Sequence, residues 1–243
     1  MRRLGTRWGL ASAIFLLLGV LSLAMSLRSG ESMGGVGGVL LRPFDQGDDT
    51  FVGQIAGHEP VEDDGIINSI EELHEVYGEP PDATFGRMRI PALGIDAPLG
   101  TRYVAEDGVM LDPTGPDDVV YYDFSGWNGL GGYPTSGGNA VFAGHVDQAG
   151  YLWYADAEYI GPAVFYNLRN LGGGETVEID LGSGPVTYIV DWVREVGPSE
   201  NWTAIVSANV EADSITLITC GGEFNRAEGA YTARTVVRAV RAG

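Results

Sequence analysis

From Phe85 onward the chain breaks into short β-branched and aromatic runs with no helical spacers alternating between them, and this texture limits the fold more than any other feature. "FGRMRIPALGIDAPLG" reads as two short strands around Pro91 and Gly94, and "NAVFAGH" (Asn139 to His145) is a compact apolar run. "ETVEIDL" and "VTYIVDWVREV" alternate apolar and polar residues, while "SITLITC" and "RTVVRAV" add two more strand-like segments. Gly, Pro, Asn and Asp fill the gaps, as at Asp112 to Asp118 and Gly126 to Gly138. Only "GPAVFYNLRNL", Gly161 to Leu171, reads as a short helix between strands. Many short strands without alternating helices predict a mainly β fold, closed as an antiparallel or mixed barrel.

The residues before Phe85 follow other rules. Residues 8–27, "WGLASAIFLLLGVLSLAMSL", form an uncharged, mostly apolar run, and about 20 such residues span a bilayer as a helix. Arg2, Arg3 and Arg7 precede it, so the positive-inside rule keeps the N-terminus cytoplasmic and exports the rest. A cleaved signal peptide is the competing reading, but the apolar run exceeds the usual length of a signal core. Residues 29–65 mix Gly, acidic and turn-forming residues, as a linker does. Ile66 to Tyr77 then predicts a short amphipathic helix with Ile67, Ile70, Leu73 and Val76 on one face, ended by Gly78 and Pro80. It reads as a brace packed on the domain that follows. The layout is a membrane anchor or signal over 1–28, an extracellular linker with a short helix over 29–80, and a barrel over 81–243.

Charge narrows the function. The formal net charge is −19, Lys is absent, and four of the 14 arginines (Arg2, Arg3, Arg7, Arg28) precede the first acidic residue, Glu31. The exported part therefore carries all 33 acidic residues against the remaining arginines. Such a surface repels nucleic acid, which is bound by neutralising phosphates with Lys and Arg. Cys220 is the only cysteine, which excludes an intrachain disulfide and a Cys-based zinc site.

Cys220 ends a strand-like run and has Gly221 and Gly222 directly behind it. A thiol nucleophile needs a neighbour that favours its thiolate, and His or Arg is the usual one. Of the three histidines, His58 falls in the linker, His74 on the short helix, and His145 at the end of a buried-looking strand. Arg234 heads the next strand, where a hairpin would bring it beside Cys220, and Arg226 is nearer in sequence. Singly, each signal favours a plainer reading: a strand-end Cys is more often a small buried hydrophobe, and a His beside Asp147 a structural hydrogen bonder. No H-E-x-x-H run or Cys cluster points to a metal.

Taken in order, "FAGHVD", "GPAVFYNL", "ITLITCGGEFNRAEGAY" and an Arg at the head of the last strand resemble the sortases, extracellular cysteine transpeptidases of mainly Gram-positive bacteria. "TLITC" is similar to their TLxTC signature and "RIPALGIDAPL" to their opening strands; "GHVD" with "TCGGEF" is closest to class F, with class E second. The resemblance covers about Phe85 to Ala242. It implies a closed eight-stranded sortase-type β-barrel with short helices and a preceding N-terminal helix. It implies Cys220 as nucleophile, His145 as acid and base, and Arg234 as oxyanion-stabilising cation, with Arg226 as the alternative. Asp147 has no settled role in the family and reads as a structural acceptor.

The implied reaction cleaves an LPxTG-type sorting signal between Thr and Gly through a thioacyl enzyme, then transfers the protein to an amine of peptidoglycan or of a pilin. It needs no metal or organic cofactor. The groove would be floored by "NAVFAGH" and "SITLITC" and walled by Gly197 to Ser214. Trp202, Ile205 and Val206 would hold the apolar part of the signal or else anchor their loop, and Thr219 would fix the nucleophile's strand. Two rivals are a cell-wall L,D-transpeptidase, whose His and Gly stand close before the Cys where "LITC" stands here, and a barrel that binds peptide without catalysis.

Overall fold

Alternation decides what lies inside the barrel. In Thr176–Asp180, Val177 and Ile179 are fully buried and their neighbours half-buried, the signature of a strand with one face on a core. The computed structural model describes residues 65–243 together with the strand Arg42–Pro43; the expected anchor at 8–27 and most of the linker lie outside the described residues. In chain order the strands are β1 (Arg42–Pro43), β2 (Ile66–Ile67), β3 (Gly86–Ile90), β4 (Ile95–Tyr103), β5 (Val109–Met110), β6 (Val119–Asp123), β7 (Asn139–Gly144), β8 (Asp147–Leu152), β9 (Ala157–Pro162), β10 (Thr176–Asp180), β11 (Pro185–Val196), β12 (Ser214–Asn225) and β13 (Ala230–Arg241). The helices are α1 (Ile70–Tyr77) and α2 (Trp202–Ile205). The barrel is closed in the order β10-β11-β13-β12-β7-β6-β4-β3, the mainly β closed barrel the strand texture predicts, with the eight strands the resemblance implies. Its pairs are antiparallel except β4 with β6 and β7 with β12, which run parallel.

The wall formed by β7, β12 and β13 is buried on both faces. Ala140, Phe142, Ile215, Leu217, Val237 and Ala239 point into the barrel core. From the opposite face Val141, Ala143, Ile218 and Val236 meet Trp202 and Val206. This two-sided burial explains why "NAVFAGH" and "SITLITC" read as continuous apolar runs. Asn139 links several polar groups there: Thr216 Oγ1 donates to Asn139 Oδ1 at 2.7 Å, and Asn139 Nδ2 and Arg238 Nη2 both donate to the Ile205 carbonyl, at 3.0 and 2.8 Å, while Trp202 Nε1 has no hydrogen-bond partner among the described residues.

The predicted helix starts later than its apolar spacing suggests. Ile66 and Ile67 pair in parallel with β9, and Ser69 caps α1 by accepting the Glu72 N–H at 3.2 Å. Leu73 is fully buried with Ile67 and Tyr159, whereas Val76 is 63% exposed, so the apolar face is narrower than expected. In Gly161 to Leu171, Gly161 and Pro162 finish β9 and only Leu168–Asn170 closes a 3-10 turn. The sheet β2-β9-β8 stands outside the barrel order. His74 Nε2 lies 2.6 Å from Asp117 Oδ2, and Tyr154 donates to Asp117 Oδ1 at 2.9 Å, tying α1 to the turn before β6.

Candidate active site

Two strand pairings bring the candidate residues to one rim. Parallel pairing of β7 with β12 sets Ala143 against Ile218; His145 follows the end of β7 directly, and Cys220 lies two residues beyond Ile218 within β12. Antiparallel pairing of β12 with β13 sets Cys220 directly opposite Arg234. By alternation Cys220 and Arg234 fall on the face of Ile218 and Val236, away from the barrel interior, and His145 continues the series Val141, Ala143 on that same face. Arg226 is exposed in the hairpin turn; the hairpin is longer than predicted because β12 runs on to Asn225 and β13 begins at Ala230.

Glycines let the strand ends pack. A Cβ on Gly144 would stand 2.7 Å from the Phe165 ring and 2.8 Å from Val164, and the His145 carbonyl accepts the Phe165 N–H at 3.0 Å. On Gly221 a Cβ would meet Thr235 Oγ1 at 2.6 Å and its backbone N at 2.7 Å. Gly222 has φ +75°, in the left-handed region, and its N–H donates to Glu195 at 3.2 Å where the β12–β13 register shifts.

Burial dominates the electrostatics. It pushes the Cys220 thiol up to about 11, against the positive charge of Arg234. It pushes the His145 imidazole down to about 4, opposed by a ring N–H bond to the Pro113 carbonyl. At neutral pH the pair therefore rests as thiol and neutral imidazole. Arg234 is 9% exposed, and its Nη1 donates to the Ala233 carbonyl at 3.0 Å. Asp147 opens β8 and accepts the Tyr231 hydroxyl at 2.5 Å. Burial raises its carboxyl and that hydrogen bond lowers it.

A cleft reaches Cys220 from the other side. Its lining includes Thr219, Cys220, Gly221, Thr235, Asp147, Tyr231 and Glu195. Thr219 is 1% exposed, and its Oγ1 has no hydrogen-bond partner among the described residues. Trp202 and Val206 are buried in the cluster that covers β7 and β12, with Ile205 packed against it half-buried. Among the described residues no three His, Cys, Asp or Glu side chains converge as metal ligands do. The Asp147–Tyr231 contact escapes sequence reading because Tyr231 arrives from the far side of the hairpin; only the spacing of Asp147 after His145 hints at it.

The sequence model of the family described as the sortase domain matches residues 88–242. The chain belongs to the sortase family and is a sortase-type cysteine transpeptidase. Solved structures similar to it include sortase D5 of Clostridium perfringens, a transpeptidase 19% identical over 72% of this chain and 89% of that one, with a TM-score of 0.46. Sortase C-3 of Streptococcus pneumoniae is 23% identical over 68% of this chain and 65% of that one, with a TM-score of 0.47. Sortase E1 of Streptomyces coelicolor, solved with a tripeptide in its active site, is 16% identical over 68% and 91% of the two chains, with a TM-score of 0.47. No curated protein matches the chain.

Proposed function

We propose that this protein is a membrane-anchored, extracellular sortase that cleaves an LPxTG-type signal between Thr and Gly with Cys220 and transfers the acyl group to an amine of peptidoglycan or a pilin. The observation that carries the reading is the double register at one rim, Ala143 with Ile218 and Cys220 with Arg234. Residues 8–27 and the arginines before them support the anchor and the exported barrel, and "GHVD" with "TCGGEF" supports class F.

In the first half-reaction the thiol proton passes to His145 and the thiolate attacks the Thr carbonyl. The tetrahedral oxyanion forms beside Arg234, whose fixed charge and forked donors suit that role. The imidazolium then protonates the departing glycine amine, leaving a thioacyl enzyme. Because both groups rest neutral, the reactive thiolate–imidazolium form is a minority with the same proton count as the resting pair.

The test incubates the protein with a panel of LPxTG-type peptides and amine nucleophiles, and reads products and the intact enzyme by mass. A peptide-length adduct on the wild type and none on Cys220→Ala supports the assignment. No cleavage across the panel refutes it and favours the barrel that only binds.

A further inference from the structure

We propose that Asp118 is a positioning residue for the reaction, holding and polarising the His145 imidazole through the single peptide group that joins Pro113 to Thr114. The inference rests on the acid and base role of His145 given above. One ring N–H of His145 donates to the Pro113 carbonyl. The N–H on the far side of that same peptide group, that of Thr114, donates to Asp118 Oδ2 at 3.2 Å. The carbonyl and N–H of a trans peptide point in opposite directions in one plane, so the peptide links carboxylate and imidazole end to end.

The turn around this peptide is held on both sides. Gly115 N–H donates to Asp118 Oδ1 at 2.8 Å, so the carboxylate serves two consecutive N–H groups. Arg102 Nε donates to the Asp112 carbonyl at 3.2 Å, and Thr114 Oγ1 donates to Asp82 at 2.8 Å. Further on, the Pro116 carbonyl accepts the Val164 N–H at 2.7 Å, and Asp117 bonds His74 and Tyr154 instead. Asp118 itself is fully buried, where a carboxylate is costly. Its charge adds what a neutral acceptor lacks: it polarises the peptide, and hydrogen bonds in series reinforce one another in a low dielectric.

The effect falls on His145 twice. The nitrogen bonded to Pro113 keeps its proton, so the other nitrogen is the base that takes the thiol proton. The imidazolium then formed is disfavoured by burial, and the carboxylate beyond the peptide supplies the opposing charge, as a carboxylate bonded directly to the imidazole does in serine hydrolases. Arg102 and Asp117 are the charged groups that act on Asp118, with the phenols of Tyr122 and Tyr154 in its field. Cys220 and Arg234 share the face of His145.

The experiment uses the full chain with 15N-labelled histidine rings. It reads the His145 nitrogens by NMR at pH 7, beside kcat and KM for an LPxTG-type peptide; His58→Gln and His74→Gln assign the other rings. The wild type shows one neutral tautomer. In Asp118→Asn the second tautomer appears, kcat falls about tenfold, the size of one charge-assisted hydrogen bond, and KM stays within about twofold. Asp117→Asn, on the same turn, leaves ring signals and kcat as they are. Unchanged ring signals in Asp118→Asn overturn the proposal whatever kcat does, as does a changed ring with kcat intact. An equal effect of the two variants also overturns it, by marking a general loosening of the turn. If Asp118→Asn does not fold, the intact carboxylate decides. As pH falls, the His145 ring N–H signal moves with a midpoint of about 6, where burial has raised Asp118, well above the ring's own titration at about 4. The step persists in His74→Gln and in Asp147→Asn, which remove the other raised groups nearby; its absence overturns the proposal. A wild type that forms no thioacyl adduct sinks the transpeptidase reading, while the ring signals, which need no substrate, still decide whether Asp118 sets the imidazole.

Discussion

Cys220 carries a thiol held neutral by burial, so its reactivity with a small alkylating agent tracks a small thiolate fraction. The folded value of about 11 lies above the ordinary 9.0. Labelling by iodoacetamide is accordingly slow at pH 7 and rises about tenfold per pH unit up to that value. A plateau reached near pH 7 would contradict it. Arg234→Met removes the charge that opposes the burial effect, so labelling at pH 8 slows and turnover falls by about 10²–10³-fold if the guanidinium also stabilises the oxyanion. Gly221→Ala drives a methyl group against the Thr235 backbone nitrogen; thermal unfolding should show a loss of about 1–3 kcal/mol, the usual cost of overpacking. The candidate nucleophile and arginine were legible because they close and open apolar runs, although β12 and β13 continue past both, and the imidazole because it follows β7 directly. Thr219 was legible as a neighbour of Cys220, but its unsatisfied hydroxyl depends on which side of the wall it faces.

At the scale of elements, α1 shows what pattern alone misses. Its apolar positions extend back to Ile67 by spacing, yet Ser69 offers a side-chain acceptor to the Glu72 N–H, and the chain before it gains more by pairing with β9. The strands at β7, β10, β11, β12 and β13 were readable from their runs, while β6, β8 and β9 lie among turn residues and depend on tertiary partners. The brace has a pH dependence of its own. The hydrogen bond to Asp117 raises the His74 imidazole above 6.5, partly opposed by burial. The charge-assisted share of that contact is fully present below pH 6.5 and is lost as pH rises through the raised folded value. His74→Ala should therefore cost about 1–3 kcal/mol at pH 6 and less at pH 9, read from denaturant midpoints at the two pH values. An equal cost at both would mean the contact is neutral throughout.

Over the whole molecule the excess of carboxylates matters more than single ion pairs. Arg87 bridges Glu79 and Asp96, and Arg102 reaches Asp82 at 3.1 Å, but these pairs are exposed or half-exposed and contribute little each. With a formal charge of −19, self-repulsion dominates, and salt screens it. Raising NaCl from about 20 mM to about 500 mM should lift the melting temperature; a fall would show that the local pairs outweigh the net charge. The same field favours a cationic acceptor over an anionic one, so aminolysis by a lysine amide should weaken with salt while hydrolysis of the thioacyl enzyme does not.

The parallel pairing of β7 with β12 joins segments separated by all of β8 to β11, a long loop to close before the rim exists. Until then the thiol ionises at its ordinary 9.0 and stands open to oxidants, with no second cysteine in the chain to capture it. Closure lifts it to about 11, which cuts the thiolate at neutral pH about a hundredfold. Folding itself is thus the step that shelters this cysteine from oxidation, and in a chain stalled before β12 docks the thiol would be open to conversion to sulfenic acid.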